Sequence, residues 1–298
     1  MFLPSQTARW NNERGSGVAR HGRRMLYSEA AEESNVERPM PFPESKRVLY
    51  GKNPLEEVVC QLRFPPILRI VAEPPAAFQD SVRTTFPLYR RVVAQPPLGL
   101  QLPPEIMQAI SAGGGVTHEF SSADQSWTLS LAQDFIALTT KAYRQWSDFK
   151  EKLQTPLSAL RDVYAPAFFS RVGLRYRDRI DREAFGLVGV EWRELLTSEA
   201  LGELGDASIG PNVEHVLREL IVRLTEGTGR VRIVHGLEHD GVKPTYIIDS
   251  DFFSEKQTET GAVDNVLDEF NRRAGHLFRW YITPHLHSAM EPRDPDAD

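Results

Sequence analysis

Apolar and basic residues alternate along residues 170–180, in the run SRVGLRYRDRI. Val172, Leu174, Tyr176 and Ile180 fall on one side of the alternation. On the other side lie Arg171, Arg175, Arg177 and Arg179, with Gly173 between the first two. Because successive side chains of a strand point to opposite faces, this run predicts a strand with one apolar face and one basic face.

Two longer stretches repeat apolar residues every three or four positions, which is the spacing of one helix face. The first covers residues 144–166, and the second covers residues 262–283 between Gly261 and Pro284. Both predict long amphipathic helices. Pro156 falls inside the first stretch, and we expect it to kink or split that helix because proline lacks the backbone N–H donor.

Two hairpins are predicted from paired alternating runs. Residues 126–140 contain SWTLSLA and DFIALTT on either side of a turn at Gln133 and Asp134. Residues 229–256 contain two further alternating runs, separated by a turn at residues 239–241 with the sequence His-Asp-Gly. Short connections of this kind join antiparallel strands.

The order of these elements predicts the fold class. Strand, helix, hairpin and long helix occur once in about residues 53–165 and again in about residues 168–284, so we interpret the chain as two degenerate copies of one unit. The predicted fold is α+β, with antiparallel sheet or sheets packed against long amphipathic helices. Residues 190–204 and 212–224 mix helix and strand signals.

Domain boundaries follow from where the periodicity begins and ends. Residues 1–47 show no periodicity and include the proline-rich run RPMPFPESKR, so we predict a disordered tail and linker. Residues 48–290 are predicted to form a single domain. Residues 291–298 are predicted to be a disordered end.

Composition narrows the possible partners. The chain of 298 residues has a formal net charge of −6, which disfavours a nucleic-acid partner because phosphate binding usually requires a basic surplus. No apolar run approaches the ~20 residues of a membrane helix, so no membrane partner is predicted. The single cysteine, Cys60, predicts a buried thiol, and a chain that cannot form an internal disulfide suits the cytoplasm.

Several motifs together resemble a known protein family. They are NPLEEVVCQLRF (53–64), YRQWSDFKEKL (143–153), FSRVGLRYRDRI (169–180), DSDFF (249–253) and HLFRWYITPHLHSAM (276–290). In this order they resemble a sporadically distributed, uncharacterised bacterial family with an Asn-Pro start, a central Arg-(Ile/Val)-Gly-Leu-Arg-Tyr strand and a Phe-x-x-x-Ile-Thr ending. The family usually has Asn soon after that Tyr, where this chain has residues 177–179, Arg-Asp-Arg. The resemblance implies one module and supplies no activity.

Paired acids and histidines are the candidate metal ligands. Asp249 and Asp251 lie two positions apart at a strand end, on one face, where oxygen ligands could hold Mg²⁺. The alternative is a strand end with ordinary polar residues, and a metal site would need a third ligand. The histidines lack the spacing of a zinc site, and no nucleophile motif is present. The sequence therefore predicts no catalytic residue, no metal and no cofactor.

The basic face of the predicted strand has three interpretations. Arg171, Arg175 and Arg177 could form a structural ion-pair network, bind a phosphorylated ligand, or contact nucleic acid. The network is favoured because Asp249 and Asp251 would lie opposite the arginines if the two strands were neighbours. Further candidate acids are Asp148, Glu151 and Asp162. Gly173 on the same face predicts that something covers the arginines closely.

Function is predicted mainly from what the sequence lacks. The leading hypothesis is a non-enzymatic cytoplasmic interaction module with an unknown protein partner, associated with mobile or defence gene sets. One alternative is a Mg-dependent enzyme or a binder of a nucleotide or phosphorylated small molecule, using Asp249, Asp251 and the arginines. A second alternative is a nucleic-acid binding protein.

Overall fold

A computed structural model describes residues 40–93, 115–239 and 243–295, which belong to one compact unit. Residues 1–39 of the predicted tail lie outside the described residues. So do Asp240 and Gly241, the last two residues of the second predicted turn.

Nine strands of the described residues form one antiparallel sheet, and two short strands form another. In chain order the strands are β1 (Leu49–Tyr50), β2 (Leu55–Arg63), β3 (Leu88–Val93), β4 (Val116–Ser121), β5 (Trp127–Ala132), β6 (Phe135–Thr140), β7 (Arg171–Ile180), β8 (Val216–Arg223), β9 (Arg230–His239), β10 (Pro244–Ser254) and β11 (Pro292–Arg293). The large sheet has the order β3-β4-β5-β6-β2-β7-β10-β9-β8, and β1 pairs with β11. Each neighbouring pair is antiparallel, which confirms the α+β class with antiparallel sheets.

Helices follow the strands at several points of the chain. They are α1 (Arg69–Ala72), α2 (Ala76–Val82), α3 (Trp146–Tyr164), α4 (Trp192–Leu195), α5 (Ser198–Leu201), α6 (Val263–Tyr281) and α7 (Pro284–Ala289). Short 3₁₀ turns lie at Gly202–Gly205, Gly210–Asn212, Thr225–Gly227 and Thr260–Ala262.

The two long helices lie side by side against the sheet. Each has 19 residues, and each buries the residues that recur at helical spacing in the sequence. Asp268 on α6 joins the pair, because it accepts hydrogen bonds from Trp146 Nε1 at 2.6 Å and from Lys150 Nζ at 2.9 Å. Pro156 does not split α3, which is one helix. Its ring is buried with the apolar face, where packing offsets the missing backbone hydrogen bond.

One face of the sheet supplies the core. In β7 the residues at even positions, from Val172 to Ile180, are buried, while the arginines at odd positions are only partly buried. The same alternation occurs in most of β9 and at the end of β10 from Ser250 to Ser254, whereas residues 245–250 of β10 are all buried. The core lies between this face and the helices. Cys60 of β2 lies in the core, as predicted, and burial raises the pKa of its thiol to about 12.

The stretches with mixed signals resolve into different elements. Residues 190–204 contain the short helices α4 and α5, and most of residues 212–224 form the strand β8. Residues of β8 alternate between exposed and partly buried positions, as expected of a strand at the end of a sheet.

Both predicted boundaries of the domain need correction. Residues 40–47 were assigned to the linker, yet Phe42 is buried and its ring packs edge-on against Trp280 at 5.4 Å. Residues 291–295 were assigned to a disordered end, yet Pro292–Arg293 pair with Leu49–Tyr50. Such contacts fix extended segments that have no periodicity of their own.

Within the described residues, no helix combines the length and the apolar composition that crossing a membrane requires.

Candidate functional site

The basic face of β7 lies beside the acidic end of β10. The two strands are neighbours, which is the condition that the ion-pair interpretation required, and their register sets Arg175 opposite Asp251 and Arg177 opposite Asp249. The Arg175 guanidinium donates two hydrogen bonds to Asp249, from Nε at 2.7 Å and from Nη2 at 2.6 Å. This two-point geometry is the one that arginine and carboxylate form best.

Arg171 explains the glycine in the strand. Its Nη2 donates to Asp251 at 2.7 Å, and its guanidinium lies over the Phe253 ring at 5.1 Å. On the way it crosses Gly173, where any Cβ would collide with the guanidinium. Gly173 therefore leaves room for an arginine side chain of the same strand.

Glutamates from the flanking strands complete this arginine face. Arg177 donates to Glu56 at 2.8 Å and to Glu238 at 3.1 Å, and Arg175 donates to Glu57 at 3.3 Å. The hydrogen bond to Asp249 raises the pKa of Arg175 above its usual value. The helical acids predicted as partners lie elsewhere: Asp148 accepts from Gln145, and Asp162 accepts from Ser158. Glu151 stands on the same helix, α3.

The remaining metal candidates do not converge. Both carboxylate oxygens of Asp249 already accept hydrogen bonds from Arg175, so a cation would have to displace a guanidinium. His235 is buried and its Nδ1 lies 2.8 Å from the Tyr246 hydroxyl, and burial lowers the pKa of His235 to about 4. Within residues 40–93, 115–239 and 243–295, no three His, Cys, Asp or Glu side chains form an arrangement that could hold a metal ion.

A second feature lies on the opposite, helix-covered face of the sheet. Residues 40–54, here called the strap, contact α6 through Phe42 and Ser45. Ser45 donates its backbone N–H to His276 Nδ1 at 3.1 Å, and the Tyr50 hydroxyl lies 2.8 Å from His287 Nδ1. Asn53 donates to the Tyr143 carbonyl at 3.0 Å. The strap is thus attached to two helices, α6 and α7, and to the segment that precedes α3.

A cavity of about 590 Å³ lies between the strap, α6 and the end of β7. This volume is within the range of sites that hold small organic ligands. Its lining mixes apolar and charged side chains from the strap, β7 and α6, and from residues 143–146. We call it the strap cavity.

Asp178 of β7 lies at the inner end of the strap cavity, on the core face of the sheet. Its exposed fraction is 6%, and no described residue forms a hydrogen bond or an ion pair with its carboxylate. Burial, together with the negative charge of Asp249, raises the pKa of Asp178 to about 8. A largely buried acid without a partner is costly to ionise, because its contact with solvent is small and no counter-charge stabilises the carboxylate.

Three tyrosines line the same part of the cavity: Tyr50, Tyr143 and Tyr176. Tyr143 meets Tyr176 edge-on at 6.0 Å, and the Tyr176 hydroxyl donates to Asn271 Oδ1 at 2.9 Å. Burial raises the pKa of all three phenols, and the nearby Asp178 charge adds a smaller increase.

Two further polar atoms of the lining lack partners among the described residues. They are Nη1 of Arg279 and Nε2 of His276, both buried. His276 stays neutral near pH 7, since burial lowers its pKa. Buried polar groups in proteins are nearly always hydrogen-bonded, so these two atoms, like the Asp178 carboxylate, are available to hydrogen-bond a molecule in the cavity.

The sequence interpretation missed Asp178, although the signal was present. Asp178 stands on the apolar side of the alternation that begins at Val172 and ends at Ile180. An acid on the buried face of a central strand breaks the pattern, and such breaks tend to mark functional positions. The strap carried no comparable signal, because its contacts join residues that lie far apart in the chain, by more than 230 positions for Ser45 with His276 and for Tyr50 with His287.

Comparison with models of known protein families and with curated proteins yields no match.

Proposed function

We propose that the protein is a non-enzymatic binding module that holds a small organic molecule in the strap cavity. The observation that carries this proposal is the buried, unpartnered carboxyl of Asp178 in a cavity of about 590 Å³. A concave site whose lining combines apolar side chains with a few convergent polar groups is the usual form of a ligand site.

The arginine face supports the proposal because its guanidinium groups already form ion pairs with carboxylates of the same sheet. Arg171, Arg175 and Arg177 are matched by carboxylates of three neighbouring strands. Their positive charge is therefore neutralised within the sheet, which weighs against a phosphate or nucleic-acid site there. In this proposal the face is a structural network that holds β2, β7, β9 and β10 together.

A ligand screen by thermal shift, with a variant that blocks the cavity, tests this function. Gly275 lies on α6 in the cavity lining, and open space surrounds the position of its missing Cβ. Gly275→Trp is expected to fill the mouth of the cavity and abolish stabilisation by the ligands found with wild type. Gly261→Trp is the matched control, because Gly261 has similar open space and lies outside the lining. Ligands that stabilise both variants equally would contradict the proposal.

A protein partner at the edge strand β8 is a second candidate. Among the described strands β8 pairs only with β9, and it exposes Leu217 and Ile221. An edge strand with unpaired backbone groups can accept a strand from a partner. A photo-crosslinking residue at position 221 is expected to trap one protein in the native host, and the absence of any product would contradict this candidate.

Three further interpretations of the sequence, the repeated unit, the cytoplasmic location and the association with mobile or defence gene sets, stay proposals. The two halves of the sheet extend outward from the central β2–β7 pair, as β6-β5-β4-β3 on one side and β10-β9-β8 on the other. This order supports the proposal that the halves are copies of one unit. The cytoplasmic location and the association with mobile or defence gene sets rest on the sequence alone.

A further inference from the structure

We infer that the ligand of the strap cavity presents a cationic nitrogen, an ammonium or a guanidinium group, to Asp178. This inference rests on the proposed function and adds the chemical class of the ligand. The acids that line the cavity differ in whether a side chain of the protein pairs with them. Asp268, another acid of the lining, accepts hydrogen bonds from Lys150 and Trp146, whereas Asp178 has no cation or donor among the described residues. A positively charged ligand group supplies the counter-charge that the chain itself does not.

The neighbours of Asp178 also suit a cation. The Tyr176 hydroxyl uses its proton toward Asn271, so its lone pairs are what it can offer to a ligand. The rings of Tyr50, Tyr143 and Tyr176 add negative π faces, and aromatic residues around a carboxylate bind organic cations favourably. An ammonium, with three donors and no acceptor, matches such a set of acceptors.

The outer part of the cavity limits what the other end of the ligand carries. Arg47 and Arg144 line it as exposed side chains, and Arg279 contributes the buried, unpartnered Nη1. A second positive charge on the ligand would be repelled there, whereas a neutral or carboxylate end would be accepted. The expected ligand is therefore a monoamine or an amino-carboxylate with an apolar body, and not a polyamine.

Binding of such a ligand displaces the proton of Asp178. The charged and titratable groups near Asp178 are Tyr176 of its own strand, Asp249 of β10, Tyr50 and Arg47 of the strap, Tyr143, and Arg279 of α6. The phenols stay protonated at neutral pH because burial raises their pKa, whereas the raised pKa of Asp178 lies close to neutral pH, so Asp178 is the acid of this set that titrates there. Below a pH of about 8 the protonated carboxyl gives one H⁺ to solvent and the carboxylate pairs with the cation.

Three small aromatic probes test the inference: phenethylamine, 3-phenylpropionate and L-phenylalanine. Calorimetry is expected to show that phenethylamine binds with release of one proton. The number of protons is measured from how the observed binding enthalpy changes with the ionisation enthalpy of the buffer. At pH values below the Asp178 pKa, its affinity should increase by about tenfold for each unit by which the pH is raised, because one proton is released per ligand bound. A diamine of the same length should bind more weakly than the monoamine.

Asp178→Asn, which keeps the shape of the neutral acid, is expected to weaken phenethylamine at least tenfold. Asp268→Asn is the matched control, because that acid lines the same cavity but already has partners. The pH dependence and proton release in wild type keep the test valid even if Asp178→Asn folds poorly.

The outcomes separate the two proposals. Tighter binding of 3-phenylpropionate, with affinity retained in Asp178→Asn and falling as pH rises, would overturn the cationic class and leave the cavity as a ligand site. The cationic class would also be overturned if neither phenethylamine nor L-phenylalanine binds while Gly275→Trp abolishes the binding of other screened ligands. If no ligand is sensitive to Gly275→Trp, the proposed function itself fails.

Discussion

At the scale of single residues, neighbours on β7 acquire opposite chemistry from the faces they occupy. Arg177 points to the outer face, where Glu56 and Glu238 neutralise it. Asp178 points to the core face, where burial keeps its acid protonated near neutral pH. The alternation in the sequence was enough to place the arginines and their partner Asp249. It could not show that Asp178 borders a cavity, because the cavity depends on distant strap residues.

Asp178→Asn is expected to change how stability depends on pH. The pKa of Asp178 is raised in the folded protein, so the folded state binds more protons than the unfolded state between about pH 4 and about pH 8. Wild type therefore loses stability across that window as pH rises, relative to the variant, which carries no proton to lose. Urea unfolding at several pH values measures the difference, and parallel curves for the two proteins would contradict the prediction.

Arg175→Met is expected to destabilise the fold by about 2 kcal/mol, because it leaves the Asp249 carboxylate without its two-point partner. The Asp249 side chain is only 11% exposed, so water replaces the guanidinium poorly. Arg232→Met is the control: its pair with Glu219 is about half exposed and should matter by less than about 1 kcal/mol. Equal small losses in both variants would show that the arginine face is not a structural network.

At the scale of elements, the β5–β6 hairpin follows the alternation of the sequence. The two-residue connection at Gln133 and Asp134 is where the sequence placed it. The strand β8 was ambiguous because Leu217, Leu220 and Ile221 also fit a helical spacing, and only its pairing with β9 decides between the two. Local pattern alone cannot settle an element whose partner is distant in the chain.

Phe270→Ala tests whether α6 is a core element. The Phe270 ring is fully buried and lies 6.1 Å from the Phe252 ring of β10. Removing it should lower the free energy of unfolding by ~3–5 kcal/mol, since a large cavity would remain. A denaturant midpoint close to that of wild type would place α6 at the periphery and contradict the packing described above.

At the scale of the whole molecule, the strap pairs with the segment at the other end of the domain. β1 of the strap pairs with β11 near the C-terminus, and Gly51 donates its N–H to the Glu291 carbonyl at 3.0 Å. The sequence predicted both ends as disordered, since neither has apolar periodicity. Their order arises from contacts across the whole length of the chain, which no local pattern encodes.

Two truncations test this role of the strap. Deleting residues 1–39 is expected to leave the melting temperature within a degree or two, as the composition of that segment predicts. Deleting residues 1–47 removes Phe42 from Trp280 and Ser45 from His276, and should lower the melting temperature by roughly 5–10 °C. Calorimetric melts that are the same for both truncations would show that the strap does not stabilise the domain.

The central claim is that Asp178 is the buried acid of a ligand site, and a ¹³C NMR titration of its side-chain carboxyl tests it most directly. Asp178→Asn assigns the resonance by its disappearance. The expected midpoint is about pH 8 in the free protein. The midpoint should shift when the protein is saturated with a ligand that stabilises wild type but not Gly275→Trp. A midpoint at the usual value of an aspartate, near 4, with no response to any such ligand, would contradict the claim.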